Sequence, residues 1–318
     1  MNRVLVTGAS GFIGSAVVAA LARDGYTVRA AVRRPLLSFS HGIEVVQHPD
    51  LAQAFDWQPL LQGVDQVVHL AGIAHSRGVN AASYDRVNRL ATARLATAAA
   101  QARVGHFVFV SSIRAQSGPA ADHALTEHDP PAPTEIYGRS KLAAEEAVRG
   151  SGVPFTILRP VLLYGPGVKG NLALLARAAA TRLPLPVKDF ANRRSLLGID
   201  NFISALAFVL ATPATIGETY VVADPGIPPR LSDVFVMLRQ AQGRRAFIMP
   251  MSPAYIELPL RLFRRADVWH RIGGNLRVDA GKLIAAGWRP AHDTRAGLTA
   301  MVHAAAPRKS GTASRSTR

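Results

Sequence analysis

The sequence predicts an α/β fold with a doubly wound parallel sheet and a smaller α+β part towards its carboxyl end. Up to about residue 160, short apolar runs alternate with longer stretches that have the spacing of amphipathic helices, as in sheets built from strand–helix–strand units. The first run, Val4–Val6, is followed by Gly8, Gly11 and Gly14 and then by a helical pattern. After Pro160 the alternation stops, and helices with short connections dominate.

These observations predict three regions: 1–165 for the main sheet, 166–306 for a second part with some segments returning to the sheet, and 307–318 for a disordered tail. The tail carries four basic residues and no acid, and it is rich in Ser, Thr and Gly. The later strands are predicted at Tyr26–Val32, Ile43–Gln47, Asp65–Leu70, His106–Ser111, Phe155–Arg159 and Tyr220–Val222. The helices are predicted at 16–22, 51–61, 84–102, 137–149, 171–182 and 201–210, and a long loop at 113–135 is expected to cover the ligand edge.

The three glycines have the spacing of a phosphate-binding turn. Gly8 permits a sharp turn, Gly11 lets the backbone approach a pyrophosphate, and Gly14 lets the helix pack close to the strand. The helix N-terminus then presents free N–H groups and a partial positive charge to the anion. A glycine-rich surface turn is the alternative, but the flanking strand and helix favour a dinucleotide site. The other residues of this stretch that are predicted to contact the dinucleotide are Ser10, Phe12 and Ile13.

The end of the second strand determines which dinucleotide is expected. NAD sites usually place an acid there for the ribose 2′-OH, whereas this chain has Arg33 and Arg34. An arginine at that place can hold a 2′-phosphate. Arg33 therefore predicts a preference for NADP(H), with NAD(H) as the other cofactor. Two solvated arginines are the alternative interpretation.

Further candidates fall at the carboxyl ends of strands, where ligands bind in such sheets. The strand Asp65–Leu70 runs into Ala71 and Gly72, a small pair that lets a cofactor pass close to the backbone. His75 follows as a substrate-binding candidate, with a solvated loop histidine as the alternative. The cofactor contacts predicted at this edge are Asp50, Leu51, Leu70, Ala71, Gly72 and Pro160.

Ser112, Tyr137 and Lys141 form a pattern suited to hydride transfer. Tyr137 and Lys141 are four residues apart and share one helix face, and a lysine cation is expected to lower the pKa of the phenol. The phenol then exchanges a proton with an alcohol or ketone, Ser112 hydrogen-bonds the same oxygen, and Lys141 also holds the cofactor. Asn88, inside a predicted helix, is a candidate for holding a water or a backbone kink near the site.

Composition restricts the other functions. The chain of 318 residues has no cysteine, which excludes disulfides and thiolate metal sites, and no metal is predicted. The net charge of +16 reflects either a compositional bias towards Arg and Ala or an anionic ligand or surface. No zinc finger, basic zipper or interleaved aromatic pattern is present, so we predict no nucleic-acid partner.

No apolar run approaches the roughly 18 residues of a membrane span. Nothing in the sequence indicates export, so we expect a cytoplasmic protein. Contact with a membrane surface is a minor alternative at 254–272, where Leu258 and Leu262 alternate with arginines. An amphipathic basic helix of this kind either lies on a membrane or packs its apolar stripe against its own domain; we expect the second.

These motifs resemble the extended short-chain dehydrogenase/reductase family of the NAD-dependent epimerase/dehydratase type. The resemblance covers almost the whole chain and rests on TGASGFIG at Thr7–Gly14, HLAG at His69–Gly72, Asn88, VSS at Val110–Ser112, YGRSK at Tyr137–Lys141, LRPVLLYGPG at Leu158–Gly167, NRRSLLGID at Asn192–Asp200 and GWRP at Gly287–Pro290.

The resemblance implies a Rossmann domain that binds NAD(P) and a smaller substrate-binding domain. It also implies nucleotide sugars, usually UDP-linked, as substrates, and it places Asn171 and Arg194 where the family contacts the diphosphate. Within the family the chain resembles bacterial UDP-sugar 4-epimerases and 4-ketoreductases of polysaccharide biosynthesis. Among these enzymes, the details of the motifs resemble the branch that reduces a UDP-4-keto-6-deoxy-N-acetylhexosamine. Many relatives form homodimers through the Tyr-Lys helix, so a homodimer is expected.

Two departures from the family pattern narrow the reaction. Sugar 4,6-dehydratases usually carry Asp-Glu directly after the catalytic Ser or Thr, whereas this chain has Ile113 and Arg114, so dehydration is not expected. Epimerases retain NAD, whereas Arg33 suits a cofactor that enters reduced and leaves oxidised. The reductase is therefore the preferred prediction and the 4-epimerase the alternative. A non-catalytic nucleotide-binding scaffold is a third, less favoured interpretation, because the Ser, Tyr and Lys are intact.

Overall fold

A parallel sheet forms the centre of the structure. The computed structural model describes residues 2–34, 39, 42–74, 78–168, 171–262 and 273–305. Its strands are β1 (Arg3–Thr7), β2 (Thr27–Val32), β3 (Glu44–Gln47), β4 (Gln66–His69), β5 (His106–Val110), β6 (Ala124–Leu125), β7 (Phe155–Pro160), β8 (Leu162–Tyr164), β9 (Leu196–Gly198), β10 (Thr219–Val222) and β11 (Arg277–Val278). In the described chain, seven of them pair in the order β10-β7-β5-β4-β1-β2-β3, all parallel. The prediction of a doubly wound parallel sheet is confirmed.

The sheet changes direction between β1 and β4. The chain runs outward from β1 through β2 to β3 and then returns to the other side of β1. Thr7, at the end of β1, therefore has Ala31 of β2 on one side and His69 of β4 on the other. Ligands of such sheets bind in the crevice outside the carboxyl ends of the strands at this point.

The helices cover both faces of the sheet and build the carboxyl-terminal part. They are α1 (Phe12–Arg23), α2 (Gln58–Leu61), α3 (Ala81–Tyr84), α4 (Ala91–Gln101), α5 (Ile136–Arg149), α6 (Asn171–Ala180), α7 (Ile199–Ala211), α8 (Leu231–Ala241) and α9 (Ala254–Leu262), followed by Gly281–Ala285 and Thr294–Ala305. The helix expected over 51–61 is limited to α2. The carboxylates of Asp50 and Asp56 accept hydrogen bonds from the backbone N–H groups two residues later, which stabilises turns instead.

The helix predicted over 84–102 is interrupted by a π-helical segment. Asp85–Leu90 is π-helical and lies between α3 and α4. Asn88 is the buried residue of this segment, and the Thr92 hydroxyl donates to its carbonyl oxygen at 2.6 Å. A π segment of this kind often marks a functional site, and here it turns the Asn88 side chain away from solvent.

The hydrophobic core lies on both faces of the sheet. One face packs on α1 and α7 through side chains such as Val17 and Phe202, and the other packs on α4 and α5 through Leu95 and Ala144. A separate cluster holds α6, α8 and the last helix together, with Phe235 at its centre. Strand β10 pairs with β7, so a segment from the second half of the chain completes the main sheet. How ligand binding divides between the two parts stays a prediction.

The segment expected to be a covering loop, 113–135, is tied to the rest of the molecule. It begins with a short 3-10 turn, Ile113–Ala115, and contains β6, which pairs with β11. The Gln116 backbone carbonyl accepts from the N–H of Ala132 at 2.8 Å. These contacts link the residues after β5 to the carboxyl-terminal part.

A buried carboxylate holds α5 to the sheet. Glu145 Oε1 accepts from the Ser111 hydroxyl at 2.6 Å and from Arg159 Nε at 2.9 Å, while Oε2 accepts from Arg159 Nη2 at 2.6 Å and from Arg149 Nη2 at 3.1 Å. Arg159 also donates to Gln116 Oε1 at 3.0 Å. The side chains of Glu145 and Arg159 are 0% and 4% exposed. Arg159 is therefore the buried partner of Glu145, and the partly exposed Arg149 is the second cation on this carboxylate.

Replacing Arg159 with Met is expected to lower the free energy of unfolding by about 3–5 kcal/mol, because the buried Glu145 carboxylate then keeps only the partly exposed Arg149 as its ion-pair partner. Urea denaturation measures the loss. The double variant Arg159→Met/Glu145→Leu is expected to recover most of it, since neither charge of this buried pair remains. Arg23→Met is the matched control, because the Arg23 side chain is 76% exposed; its effect is expected to stay within about 0.5 kcal/mol. Equal losses in Arg159→Met and Arg23→Met would contradict the importance of the pair.

Candidate active site

The turn after β1 brings three backbone segments into contact. Gly8 has a φ of 68°, and a Cβ at Gly8 would lie 2.8 Å from the backbone nitrogen of Ala71. A Cβ at Gly14 would lie 2.1 Å from the carbonyl oxygen of Gly8. Both positions therefore require glycine. Helix α1 starts directly after Gly11 with no side-chain cap, so no side chain of its own occupies the anion-binding end of the helix.

A cavity of about 470 Å³ opens beside this turn. The predicted cofactor contacts that line it are Gly8, Ser10, Gly11, Arg33, Asp50, Leu51, Leu70, Ala71 and Gly72. Phe12 and Ile13 begin helix α1, whereas Lys141 on α5 and Pro160 on β7 are not among the residues that line this cavity. The tight glycine turn, the uncapped helix end and the adjoining cavity fit the phosphates of a dinucleotide.

Three polar side chains line the cavity without having been singled out from the sequence. They are His48, Ser83 and Arg86. The His48 ring stacks on Phe55 with centroids 6.1 Å apart, and burial lowers its pKa. Its Nδ1 lies 2.6 Å from the carbonyl oxygen of Pro49, so Nδ1 carries the proton. No local motif identifies these residues, because β3 and the π segment bring them together only in the folded chain.

Arg33 lies at the edge of the cavity beside a carboxylate. Its Nη1 is 3.6 Å from Asp50 Oδ2, and the two side chains are 64% and 48% exposed. Such an exposed pair contributes little to stability, so the guanidinium can exchange this partner for another anion. Arg34 is also exposed but is not among the residues that line the cavity.

A chain of buried hydrogen bonds starts at Thr7, immediately before the turn. The Ala71 N–H donates to Thr7 Oγ1 at 3.2 Å, and Thr7 Oγ1 lies 2.7 Å from His69 Nδ1. On the other side of the ring, His69 Nε2 lies 2.9 Å from Thr92 Oγ1. Because the Thr92 hydroxyl donates to the Asn88 carbonyl, it accepts from Nε2–H, and Nδ1 accepts from Thr7. Burial lowers the pKa of His69 to about 3, so the ring is neutral.

Asn88 extends this chain to helix α5. Its Oδ1 accepts from the Ile73 N–H at 2.8 Å, and its Nδ2 donates to the Ile73 carbonyl at 3.1 Å and to Ser140 Oγ at 3.0 Å. The Ser140 hydroxyl in turn donates to the Tyr137 carbonyl at 2.7 Å. Asn88 therefore holds the backbone after β4 against α5.

Ser112 and Tyr137 meet beyond the end of β5. The Ser112 side chain hydrogen-bonds the Tyr137 phenol, and its Oγ accepts from the Arg114 N–H at 3.2 Å. Ser111 does not join them. It faces the opposite side and donates to Glu145, because successive residues of a strand point in opposite directions.

The pKa of the Tyr137 phenol is raised. Burial is the main cause, Tyr84 adds to it, and the Ser112 hydrogen bond and the charge of Arg114 oppose it. The sequence led us to expect Lys141 to lower this pKa, but the cation that does so here is Arg114. The sequence offered no sign of this role, since Arg114 was noted only as a departure from the dehydratase pattern.

Lys141 is buried beneath the site. Its Nζ donates to the Val110 carbonyl at 2.8 Å and lies 4.2 Å from the centre of the Phe109 ring. Burial lowers the pKa of Lys141 to about 7, while the charge of Glu145 opposes that shift. Lys141 therefore titrates near neutral pH rather than near 10.5.

Arg194 supplies a second cation in this region. Its Nη1 donates to the Gly274 carbonyl at 2.9 Å and its Nη2 to the Pro119 carbonyl at 3.2 Å. Burial, and repulsion from Arg114, lower the pKa of Arg194 to about 10, so it stays charged at neutral pH. Arg114 forms an ion pair with Glu135. The charge of Arg114 thus acts on both Tyr137 and Arg194.

Two predicted substrate contacts are not placed. His75 lies outside the described residues, and Asn171 is described only as the first residue of α6.

Within the described ranges, no group of three or more histidine or acidic side chains could hold a metal ion. In the same ranges, no helix has both the length and the apolar character needed to cross a membrane.

The match to a family model covers most of the main sheet. Residues 4–223 match the model described as "NAD dependent epimerase/dehydratase family". A UDP-glucose 4-epimerase of Vibrio cholerae is 29% identical over 307 residues, 93% of each chain. A ceramide reductase of Caulobacter vibrioides is 33% identical over 212 residues, 66% of this chain and 61% of that protein.

Solved structures show the same fold. MoeE5 in complex with UDP-glucose and NAD is 26% identical, with a TM-score of 0.75 over 95% of this chain and 98% of that chain. UDP-glucuronic acid 4-epimerase from Bacillus cereus in complex with NAD is 22% identical, with the same TM-score over 95% and 96%. The match over residues 4–223 and the enzymatic relatives confirm the predicted family and an enzyme rather than a scaffold. The chain therefore belongs to the NAD-dependent epimerase/dehydratase family, the extended branch of the short-chain dehydrogenases/reductases.

Proposed function

We propose that this enzyme reduces the 4-keto group of a UDP-4-keto-6-deoxy-N-acetylhexosamine, with Ser112, Tyr137 and Lys141 as catalytic residues. The observation that carries the proposal is the hydrogen-bonded Ser112–Tyr137 pair, with the buried Lys141 one turn further along helix α5. The pair lies beyond the end of β5. In the sheet, β4 separates β5 from β1, the strand that precedes the glycine turn. A nicotinamide cofactor bound along the glycine turn would supply the hydride.

Tyr137 acts as the proton donor in this reaction. A phenol with a raised pKa stays protonated at neutral pH and releases its proton when negative charge develops on the substrate oxygen. Ser112 donates a hydrogen bond to the same oxygen and fixes its position. The charge of Arg114 stabilises the phenolate that remains. We assign Lys141 to holding the cofactor, and Asn88 positions α5 through Ser140.

The cations near the site favour an anionic substrate. Arg194 remains charged although it is half-buried, and Arg114 adds positive charge beside Tyr137. We assign Arg194 and Asn171 to the diphosphate and His75 to the sugar. The UDP-glucose 4-epimerase relative and the MoeE5 complex with UDP-glucose support a UDP-linked sugar.

The cofactor preference is proposed from Arg33. Its guanidinium lies in the cavity lining, and its ion-pair partner among the described residues is the exposed carboxylate of Asp50, so it is available to a 2′-phosphate. NADP(H) would then be the preferred cofactor and NAD(H) the weaker one. An exchangeable, reduced cofactor suits a reductase.

A UDP-sugar 4-epimerase is the second candidate. The Vibrio cholerae relative, named as such an epimerase, aligns over 93% of this chain, and solved relatives contain NAD. In an epimerase, Tyr137 first takes and then returns the proton of the same hydroxyl.

Replacing Tyr137 with Phe is expected to lower kcat by roughly 10²–10⁴-fold, because the proton donor is lost. NADPH affinity, measured by fluorescence titration, is expected to stay unchanged. Tyr84→Phe is the matched control, since it removes a hydroxyl from a ring whose centroid is 6.0 Å from that of Tyr137. Turnover that survives in Tyr137→Phe would overturn the mechanism.

The kcat/KM measured by varying the cofactor is expected to fall as the pH rises through about 7, approaching tenfold per pH unit, because Lys141 loses its charge there. An unperturbed lysine would stay charged until about pH 10.4. Lys141→Arg keeps the charge across this range and is expected to move the decline to higher pH. The same decline in Lys141→Arg would assign it to another group.

Replacing Arg33 with Ser is expected to weaken NADPH binding by about 10–100-fold, the loss of a charge-assisted hydrogen bond. NADH binding should change by less than about twofold, and Arg34→Ser should change neither.

Purified wild-type protein is expected to release no stoichiometric NAD on denaturation. Release of tightly held NAD, with activity on a UDP-hexose and no need for added cofactor, would support the epimerase instead.

A further inference from the structure

An exposed surface of the carboxyl-terminal part combines arginines with large apolar side chains. Leu183, Phe247 and Met249 are 69%, 54% and 42% exposed. Arg182, Arg244 and Arg245 flank them in sequence and are exposed too. We call these six residues the basic-apolar face. It lies outside the cavity and the catalytic residues described above, and the proposed function does not use it.

The two segments that carry this face are held side by side. Leu185 and Ile248 form a parallel bridge, and the N–H of Met249 donates to the Leu185 carbonyl at 2.8 Å. Ile248 and Leu185 pack against the cluster around Phe235. Phe247 and Met249, on either side of Ile248, are exposed, as the alternation of side chains along an extended segment requires.

A buried arginine reinforces this pairing. Arg239 is only 2% exposed. Its Nη1 donates to the Phe247 carbonyl at 3.2 Å, and its Nη2 donates to the carbonyls of Thr181 at 3.0 Å and of Leu183. One guanidinium therefore joins both segments, and the exposed side chains on them belong to one surface.

The charged side chains within the two segments that carry this face are all basic. Segments 171–188 and 234–256 contain no Asp or Glu. They contribute the exposed cations Arg177, Arg182, Lys188, Arg244 and Arg245. The carboxylate closest in sequence is Asp189. A two-fold contact between copies of the chain through this face would set these cations against each other, and like charges in contact cost several kcal/mol.

Helix α9 follows Met249 by a few residues and adds exposed apolar side chains. Tyr255, Leu258 and Leu262 have the spacing i, i+3 and i+7, and they are 75%, 70% and 79% exposed. The sequence led us to expect the apolar stripe to pack against its own domain. For these three side chains the structure shows exposure instead. Residues 263–272 lie outside the described residues.

We propose that the basic-apolar face docks the enzyme on an anionic lipid surface, and that the exposed stripe of α9, a few residues further along the chain, adds a second contact. Leu, Phe and Met insert among acyl chains at the interface, while arginines reach the lipid phosphates. Arginine suits this role because its guanidinium pairs with phosphate in a bidentate manner. Exposed apolar side chains surrounded by cations are otherwise unfavourable in water.

Flotation with vesicles tests this proposal. Full-length protein is expected to float with phosphatidylcholine vesicles that contain about one third phosphatidylglycerol, and not with phosphatidylcholine alone. Arg244→Glu/Arg245→Glu should lower the bound fraction by about tenfold or more. Leu183→Ser/Phe247→Ser/Met249→Ser should lower it as well. Thermal melting of each variant confirms that it is folded.

Matched controls separate the face from net charge. Arg23→Glu/Arg94→Glu changes the net charge equally but lies on α1 and α4, and Ile227→Ser removes an apolar side chain that is 82% exposed elsewhere. Both are expected to float like the wild type. Wild-type protein that fails to float, or equal losses in the two arginine variants, would overturn the proposal. Binding of acidic protein or nucleic acid by this face without flotation would also overturn it. The test does not depend on the sugar chemistry.

Discussion

The close approach of the turn after β1 to helix α1 and to the end of β4 is the constraint on which the rest of the site depends. Gly8 lies against the Ala71 backbone and Gly14 against the Gly8 carbonyl, at distances that leave no room for a Cβ. This contact keeps the anion-binding end of α1 close to the crevice between β1 and β4. Every later part of the proposed chemistry is placed relative to that crevice.

Buried polar contacts connect this turn to helix α5. The path runs from Thr7 through His69 and Thr92 to Asn88, and then through Ser140 to the backbone of Tyr137. Each group along it has a defined donor or acceptor role, since the tautomer of His69 follows from the Thr92 bond. Because unpaired buried polar groups are costly, the network allows few alternative placements of α5. It thereby couples the position of Tyr137 to the turn.

The positively charged side chains fall into two groups that differ in their exposure to solvent. Lys141 is buried and Arg194 is half-buried, so loss of hydration lowers the pKa of each, whereas Glu145 and Glu135 balance charge nearby. The arginines of the basic-apolar face are exposed and lack acidic neighbours in their own segments. The net charge of +16 therefore does not require a single anionic partner. The less exposed cations suit a compact ligand, and the exposed ones suit an extended surface.

The sequence by itself determined the fold class, because the alternation of strands and helices depends on local spacing, and the family, because its motifs are contiguous along the chain. Gly8, Ser112, Tyr137 and Lys141 stay predicted site residues. Tertiary structure alone decided which neighbours those residues meet. The charge of Arg114 on Tyr137 and the turning of Ser111 towards Glu145 depend on contacts between distant segments. The helix predicted over 51–61 forms only at Gln58–Leu61. Before it, the carboxylates of Asp50 and Asp56 stabilise turns. Burial, which shifts the pKa of Lys141, is likewise a property of packing and cannot be read from spacing.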